Sequence, residues 1–119
     1  MNTPRQPSTA RDANTGRVVA STLECATTPW TRFRGLMLRS TLPSGSGMLI
    51  RPCSSIHMMF MHFPIDAVFV NSTGQVTKVS LNVKPWIGFA RGGKGTTAVI
   101  EVPVGSATGI AVGDQIVFS

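Results

Sequence analysis

The sequence predicts a mainly β fold: a small β-sandwich or barrel-like domain with one short α-helix. The 119 residues include 12 glycines and 8 prolines, which interrupt helices and favour short strands joined by turns. Several segments alternate apolar and polar residues, and this two-residue period is typical of strands with one buried face. A helical pattern of apolar residues is visible at about residues 29–38.

The length of the chain allows one domain and is too short for two ordinary ones. Residues 1–16 are rich in Pro, Thr, Asn and Arg and lack apolar periodicity, so we expect a flexible leader followed by a single β-rich domain at residues 17–119. The leader lacks the apolar core of a signal peptide, and no stretch approaches the length of a transmembrane helix. The expectation is therefore a soluble, cytoplasmic protein with no membrane partner.

The first predicted strand covers residues 17–26, where small and β-branched residues alternate. Thr28 is a suitable cap for the helix that follows, and Pro29 suits its first position, where a missing N–H costs nothing. Gly35 lies inside this helix and costs about 1 kcal/mol relative to alanine. The apolar stripe of the helix consists of Trp30, Phe33, Leu36 and Met37.

The rest of the chain predicts strands separated by turns. Residues 56–63 are apolar on both faces, which fits either a buried strand or an irregular crossing segment. Residues 65–83 predict a β-hairpin, because two alternating segments flank the turn Asn-Ser-Thr-Gly. Residues 84–95 are rich in glycine and basic side chains and predict a loop. Further strands are expected at residues 47–51, 96–103 and 115–119.

Several short motifs occur in a characteristic order along the chain. They are RGLMLR at 34–39, GMLI at 47–50, FMHFPIDAVFV at 60–70, Gly74, VIEVPVG at 99–105 and GIAVGDQIVF at 109–118. In this order they resemble the domain-of-unknown-function 192 (DUF192) family over about residues 17–119. The resemblance implies a compact β-sandwich or barrel-like domain with a short helix, and no established activity. Members of the family often carry a Trp-Met-Lys-Asn-Thr-like stretch at this position. In this chain the aligned residues 60–63 are Phe-Met-His-Phe, which are more apolar.

Soft metal ligands are concentrated between residues 53 and 62. Thiolate, thioether and imidazole groups are what Cu(I) selects, so this segment supplies the candidates for a copper or zinc site. In a strand, His57, Met59 and Met61 would share one face and His62 would point to the other. The alternative is that methionines fill an irregular core. The metal candidates are Cys53, His57, Met59, Met61 and His62.

The charge balance favours anionic partners. Eleven Lys and Arg against five Asp and Glu give a net charge of +6, but the basic residues are scattered, which argues against nucleic-acid binding. The glycine-rich segment 88–97 offers backbone amides, Arg91 and Lys94 to a small anion, and Trp86 offers a stacking surface. Its GxxxxGK spacing is followed by glycine and a predicted strand, which excludes a nucleotide-binding P-loop.

Asp66 opens the clearest strand, and a carboxylate buried there needs Arg34, Arg51 or backbone amides as a partner. A structural role is favoured, and Asp66 and Arg34 stay among the ligand-binding candidates with Trp86, Arg91 and Lys94. No complete catalytic set or cofactor motif occurs. We therefore expect a binding or accessory module without a cofactor, for a small anionic ligand or a protein. The alternatives are a metal-handling protein or enzyme using residues 53–62, and anion or nucleic-acid binding at residues 88–97.

Overall fold

A computed structural model describes residues 6–28, 31–32, 35–37 and 39–119 of the chain. Strands dominate these residues, so the prediction of a mainly β fold is confirmed. The strands are β1 (Ala10–Asp12), β2 (Val18–Ala20), β3 (Thr22–Ala26), β4 (Ser46–Ile50), β5 (Ser55–His57), β6 (Ile65–Val70), β7 (Val76–Val83), β8 (Phe89–Arg91), β9 (Ala98–Pro103) and β10 (Ile116–Phe118).

The strands form three sheets. The largest is five-stranded, in the order β3-β4-β9-β6-β7, and it is antiparallel apart from the parallel pair β3–β4. A three-stranded antiparallel sheet has the order β10-β1-β2. A small antiparallel pair, β5–β8, completes the fold.

Apolar clusters pack against both faces of the five-stranded sheet, because its central strands are buried on both sides. In β6, Val68 and Val70 belong to one cluster while Ala67 and Phe69 belong to the other. The first cluster includes residues of β1, β2 and β10, so the three-stranded sheet covers it. The second cluster, called cluster two below, includes residues of β5 and β8 and Leu36 from the connection between β3 and β4.

Strand β1 lies inside the segment 1–16 that the sequence assigned to a flexible leader. The backbone of β1 pairs with β10 on one side and β2 on the other, and Ala10 and Asp12 are buried. A strand of three residues has no readable period, and its partner β10 is distant in sequence. The strand structure of the described chain therefore begins at Ala10 rather than after Gly16.

Two segments differ in detail from the sequence-based expectation. Residues 56–63 are strand only as far as His57, and the chain then turns, with Phe60 at a φ of 64°. The predicted loop 84–95 contains β8, because residues 89–91 exchange backbone hydrogen bonds with β5. Gly88 allows the close passage of this loop, because a Cβ at this position would clash with the Lys84 carbonyl oxygen.

Part of the predicted helix at 29–38 lies outside the described residues, namely 29, 30, 33, 34 and 38. In the described part, the Arg32 amide donates to the Thr28 carbonyl and the Gly35 amide donates to the Thr31 carbonyl, which is helical spacing. The Thr31 amide also donates to the Thr28 hydroxyl at 3.1 Å, as expected of an N-cap. Within the described residues, no helix is long and apolar enough to cross a membrane.

Candidate functional site

A cavity of about 110 Å³ opens on the cluster-two face of the five-stranded sheet. Its walls come from the connection between β3 and β4, from the end of β4 and the segment that follows it, from β5 and the turn after it, and from β9. Most of the wall is apolar, with a few groups that can bind a ligand, which is the usual composition of a small-molecule site. The side chains of the wall with charged, imidazole or sulfur groups are Arg32, Met37, Cys53, His57, Met61 and Glu101.

Glu101 provides the carboxyl group of this cavity. It lies within β9, only 5% exposed, and its cross-strand neighbours are Met48 of β4 and Ala67 of β6. Burial raises the pKa of Glu101 to about 7. Among the described residues, none donates a hydrogen bond that would stabilise its ionised form. Near neutral pH the carboxyl is therefore present in both forms and can either donate or accept a hydrogen bond.

Cys53 lines the cavity as a thiol rather than a thiolate. Burial is the main cause that raises the pKa of Cys53. A backbone hydrogen bond at Ser55 is the largest effect that lowers it, the nearby Glu101 carboxylate raises it, and Arg32 lowers it least. The thiol donates to the Ser55 carbonyl oxygen at 3.1 Å. Cys25 and Cys53 are both free. Because a nucleophilic cysteine needs a lowered pKa, this environment does not activate Cys53 for covalent catalysis.

Arg32 brings a positive charge to the cavity wall. Its guanidinium donates to the Pro52 carbonyl oxygen at 3.2 Å, and the Thr28 carbonyl accepts from its Nε at 3.4 Å. These two bonds use part of the guanidinium, which has five N–H groups in all. The remaining N–H groups are the cationic donors that the cavity offers to an anionic part of a ligand.

Of the five predicted metal candidates, the structure brings Cys53, His57 and Met61 to one cavity. Met61 turns inward because its amide donates to the Met58 carbonyl, which closes a tight turn after β5. Met59 in the middle of that turn is exposed, and His62 lies against Trp86 with 5.9 Å between ring centroids. The described residues contain no group of three or more His, Cys, Asp or Glu that could hold a metal ion.

The predicted ligand-binding residues lie elsewhere. Trp86, Arg91 and Lys94 are exposed on the segment after β7. Asp66 is buried, and its carboxylate accepts the backbone amides of Asn82, Gly105 and Ala107 at 2.9, 2.9 and 3.3 Å. These three bonds occupy the carboxylate and connect β6 to β7 and to the segment after β9. Arg34 lies outside the described residues.

Sequence reasoning missed Glu101, Arg32 and Met37 as members of the site. The available signal was the single acid in the apolar strand VIEVP. An isolated carboxylate in such a strand must be either exposed, paired or functional. The choice among these depends on the segments that pack against this face of β9, namely the connection between β3 and β4 and the region around β5, which local sequence does not indicate.

Comparisons with known proteins agree with this architecture. A UPF0127 protein from Thermococcus sibiricus is 33% identical over 107 residues, which cover 85% of this chain and 68% of that protein. A crystal structure of a protein of unknown function from Novosphingobium aromaticivorans matches with a TM-score of 0.80 and 28% identity, covering 93% of this chain and 83% of the other. A protein from Sinorhizobium meliloti described as a candidate transcription regulator matches with a TM-score of 0.81 over 99% of this chain and 98% of the other. At 23% identity, the last match shows the fold alone.

The fold and the cavity define a small β domain in which one sheet carries an apolar core on each face, and a mostly apolar cavity with a few polar groups opens on one of these faces. The DUF192 family model, described as Uncharacterized ACR, matches residues 10–118. The chain belongs to this family, which has no established activity. The motif segments quoted above contribute to the cavity wall through Met37, Ile50, Met61 and Glu101.

Proposed function

We propose that this protein is a binding module without catalytic activity of its own, and that its ligand is a small polar molecule held beside Glu101. The observation that carries the proposal is the position of this carboxyl, buried in apolar surroundings but facing an open cavity. Burying a carboxyl in this way opposes folding unless a partner compensates it. A ligand that hydrogen-bonds to Glu101 supplies that partner.

The walls of the cavity restrict the class of ligand. By comparison with a cavity of about 150 Å³ that holds benzene, about 110 Å³ holds roughly four or five non-hydrogen atoms. A hydroxyl or amine at the inner end of the ligand fits Glu101, and a carboxylate at the outer end fits Arg32. Short hydroxy and amino acids have both groups at this size.

The test is an amide NMR titration with glycolate and with acetate, which differ by one hydroxyl group. We expect glycolate to bind with a Kd on the order of 1 mM, as is usual for a fragment of this size, and to shift the amides of Gly35, Cys53 and Glu101. Acetate lacks the group that meets Glu101 and binds more weakly. Glycine gives the same comparison with an amine.

The matched variants are Glu101→Gln and Glu24→Gln. Glu24 is exposed and pairs with Arg39 at 2.6 Å, so Glu24→Gln keeps the glycolate response while Glu101→Gln loses its preference over acetate. Identical titrations of glycolate and acetate in the wild-type protein contradict the proposal. So do glycolate shifts that occur only at residues 88–97, which would favour the predicted anion site on that loop.

A second candidate function is Cu(I) binding in the same cavity. The observation that favours it is the set of soft donors on its wall: the Cys53 thiol, the His57 imidazole and the Met37 and Met61 thioethers. Cu(I) is added to reduced protein in competition with a coloured Cu(I) chelator. Stoichiometric binding that Cys53→Ser and Met61→Leu abolish and that exposed Met59→Leu preserves supports this candidate. Binding that survives both cavity substitutions excludes it.

A further inference from the structure

Exposed apolar side chains come together where the chain leaves β5 and where it enters β8. We call this surface the apolar tip. Ile87 is 84% exposed and Phe89 is 61% exposed, which is unusual for such large apolar side chains. The apolar tip consists of Met59, Phe60, Trp86, Ile87 and Phe89.

The backbone holds the two parts of the apolar tip together. The Met58 side chain is fully buried, its amide donates to the Gly88 carbonyl at 2.9 Å, and its carbonyl accepts the Trp86 amide at 2.7 Å. Phe60 and Trp86 both have positive φ, 64° and 68°, a conformation that non-glycine residues rarely adopt. Their rings meet edge to face at 5.4 Å. The Phe60 and Trp86 side chains are thus held at the surface, although exposing apolar rings to water and adopting a positive φ are both energetically unfavourable.

The exposed charged residues in the part of the chain that forms the apolar tip have one sign. Between residues 52 and 100 the only acidic residue is Asp66, which is buried. Lys84 immediately precedes the tip and Arg91 ends β8, and both are exposed. No exposed carboxylate from residues 52–100 therefore offsets these cations.

We propose that the apolar tip binds the surface of an anionic lipid bilayer, with its apolar side chains inserted at the boundary between headgroups and acyl chains. Protruding aliphatic and aromatic side chains with a basic rim are the combination that partitions to this boundary. A second copy of the chain is disfavoured as the occupant because two basic rims repel each other. A single-stranded nucleic acid is disfavoured because the most exposed residue, Ile87, has no ring for base stacking.

This attachment would place the cavity beside the lipid. His57 lines the cavity, and its cross-strand partner is Phe89 of the apolar tip. The inference rests on the exposed surface and not on the ligand proposed above. Failure of glycolate or Cu(I) binding would leave the membrane proposal unchanged. Failure of vesicle binding would likewise leave the ligand proposal unchanged.

The test is co-sedimentation of the full chain with vesicles of pure phosphatidylcholine and of phosphatidylcholine with about a third phosphatidylglycerol. We expect binding to the anionic vesicles that weakens as salt shortens the range of the attraction. Lys84→Glu with Arg91→Glu removes two favourable charges, and at about fivefold in affinity for each basic residue, the loss is at least 25-fold. Arg11→Glu, on the exposed side of β1, is the charge control and retains much more binding.

Ile87→Ser with Phe89→Ser removes the two most exposed side chains of the apolar tip, and Val112→Ser, on an exposed turn outside the tip, is the matched control. The double variant loses vesicle binding while its thermal unfolding stays within a few degrees of wild type, because both side chains are already in solvent. Equal binding of wild type and the double variant overturns the proposal. Two other results also overturn it, if the same substitutions abolish them. One is a concentration-dependent dimer, and the other is tighter binding to single-stranded oligonucleotide than to vesicles.

Discussion

The carboxyl group of Asp12 lies beside that of Asp114, and its buried Oδ2 atom has no hydrogen-bond partner among the described residues. The other oxygen of Asp12 accepts the amides of Asn14 and Thr15 at 2.9 and 3.3 Å, and Asp114 accepts the Ala111 amide at 3.0 Å. Burial and the contact with Asp114 raise the pKa of Asp12. The interaction with the Asp12 side chain is the main cause that lowers the pKa of Asp114. When it is protonated, Asp12 can donate from Oδ2 to Asp114 and so connect the end of β1 to the turn before β10.

Asp12→Asn should preserve this link without a proton, because an amide can donate to Asp114 while its oxygen still accepts the two backbone amides. The raised pKa of Asp12 contributes stability that is full below its ordinary pKa and is lost as pH rises through its folded-state value. We expect the variant to be within about 1 kcal/mol of wild type at pH 5 and to lose this pH dependence. Urea unfolding between pH 4 and 8 measures both quantities. A large loss of stability at every pH would show that donation from residue 12 to Asp114 is not the important feature.

Glu101 makes a larger and separate contribution to pH dependence. Its pKa is about 7 in the folded protein against an ordinary 4.5, so its contribution is complete below pH 4.5 and is lost as pH rises through 7. The difference corresponds to about 3 kcal/mol between these limits. We expect Glu101→Gln to flatten the stability profile between pH 5 and 8 in urea unfolding at constant m-value. An unchanged slope in this range would mean that the carboxyl titrates normally.

At pH 8, Glu101→Met should be more stable than wild type, because it replaces a buried carboxylate by a side chain that suits its apolar neighbours. The expected gain is on the order of 1 to 3 kcal/mol in the free energy of unfolding. Destabilisation of this variant, with normal behaviour of Glu24→Gln, would instead assign Glu101 a structural partner.

Asp66→Asn should destabilise the fold strongly. The substitution places an NH2 group against backbone amides that now donate to the carboxylate, and it leaves at least one of them without an acceptor. We expect a loss of about 3 kcal/mol in the free energy of unfolding. Glu24→Gln is the control, since its exposed ion pair with Arg39 contributes less than about 1 kcal/mol. Similar small losses in both variants would contradict the role of Asp66.

Alanine substitutions at Gly74 and Gly95 separate the energetic cost of a positive φ from the cost of a steric clash. Their φ angles are 85° and 84°, but a Cβ at Gly74 would lie 2.7 Å from the Ile116 carbonyl oxygen, whereas a Cβ at Gly95 would meet nothing within 4 Å. Gly95→Ala should cost about 1 to 2 kcal/mol for conformation alone. Gly74→Ala should cost more, measured by the same thermal or urea unfolding. Equal losses would mean that the 74–116 contact relaxes freely.

The sequence predicted the elements whose pattern is local. The hairpin of β6 and β7 follows from two alternating segments around one turn, and the Thr28 cap follows from its residue type. The short strands β1 and β8 were not predicted, because their pairing with β10 and β5 depends on residues distant in the chain.

The same division applies to the site. Cys53, His57 and Met61 were predicted from residue type within one short segment, and the turn after His57 then separated them from Met59 and His62. Glu101 was missed because a lone acid in a strand has the same local appearance whether it faces solvent or a cavity. Only the segments that pack over this face of β9, which supply Arg32, Met37 and His57, decide this.

The parallel pairing of β3 and β4 has an evolutionary consequence. Two parallel neighbours need a connection that returns along the sheet, and here residues 27–45 make that return and supply Arg32 and Met37 to the cavity wall. The pairing of β3 with β4 does not constrain the length or composition of this connection. Insertions and substitutions there can reshape the cavity while every strand keeps its partner, so relatives can diverge in ligand preference on an unchanged scaffold.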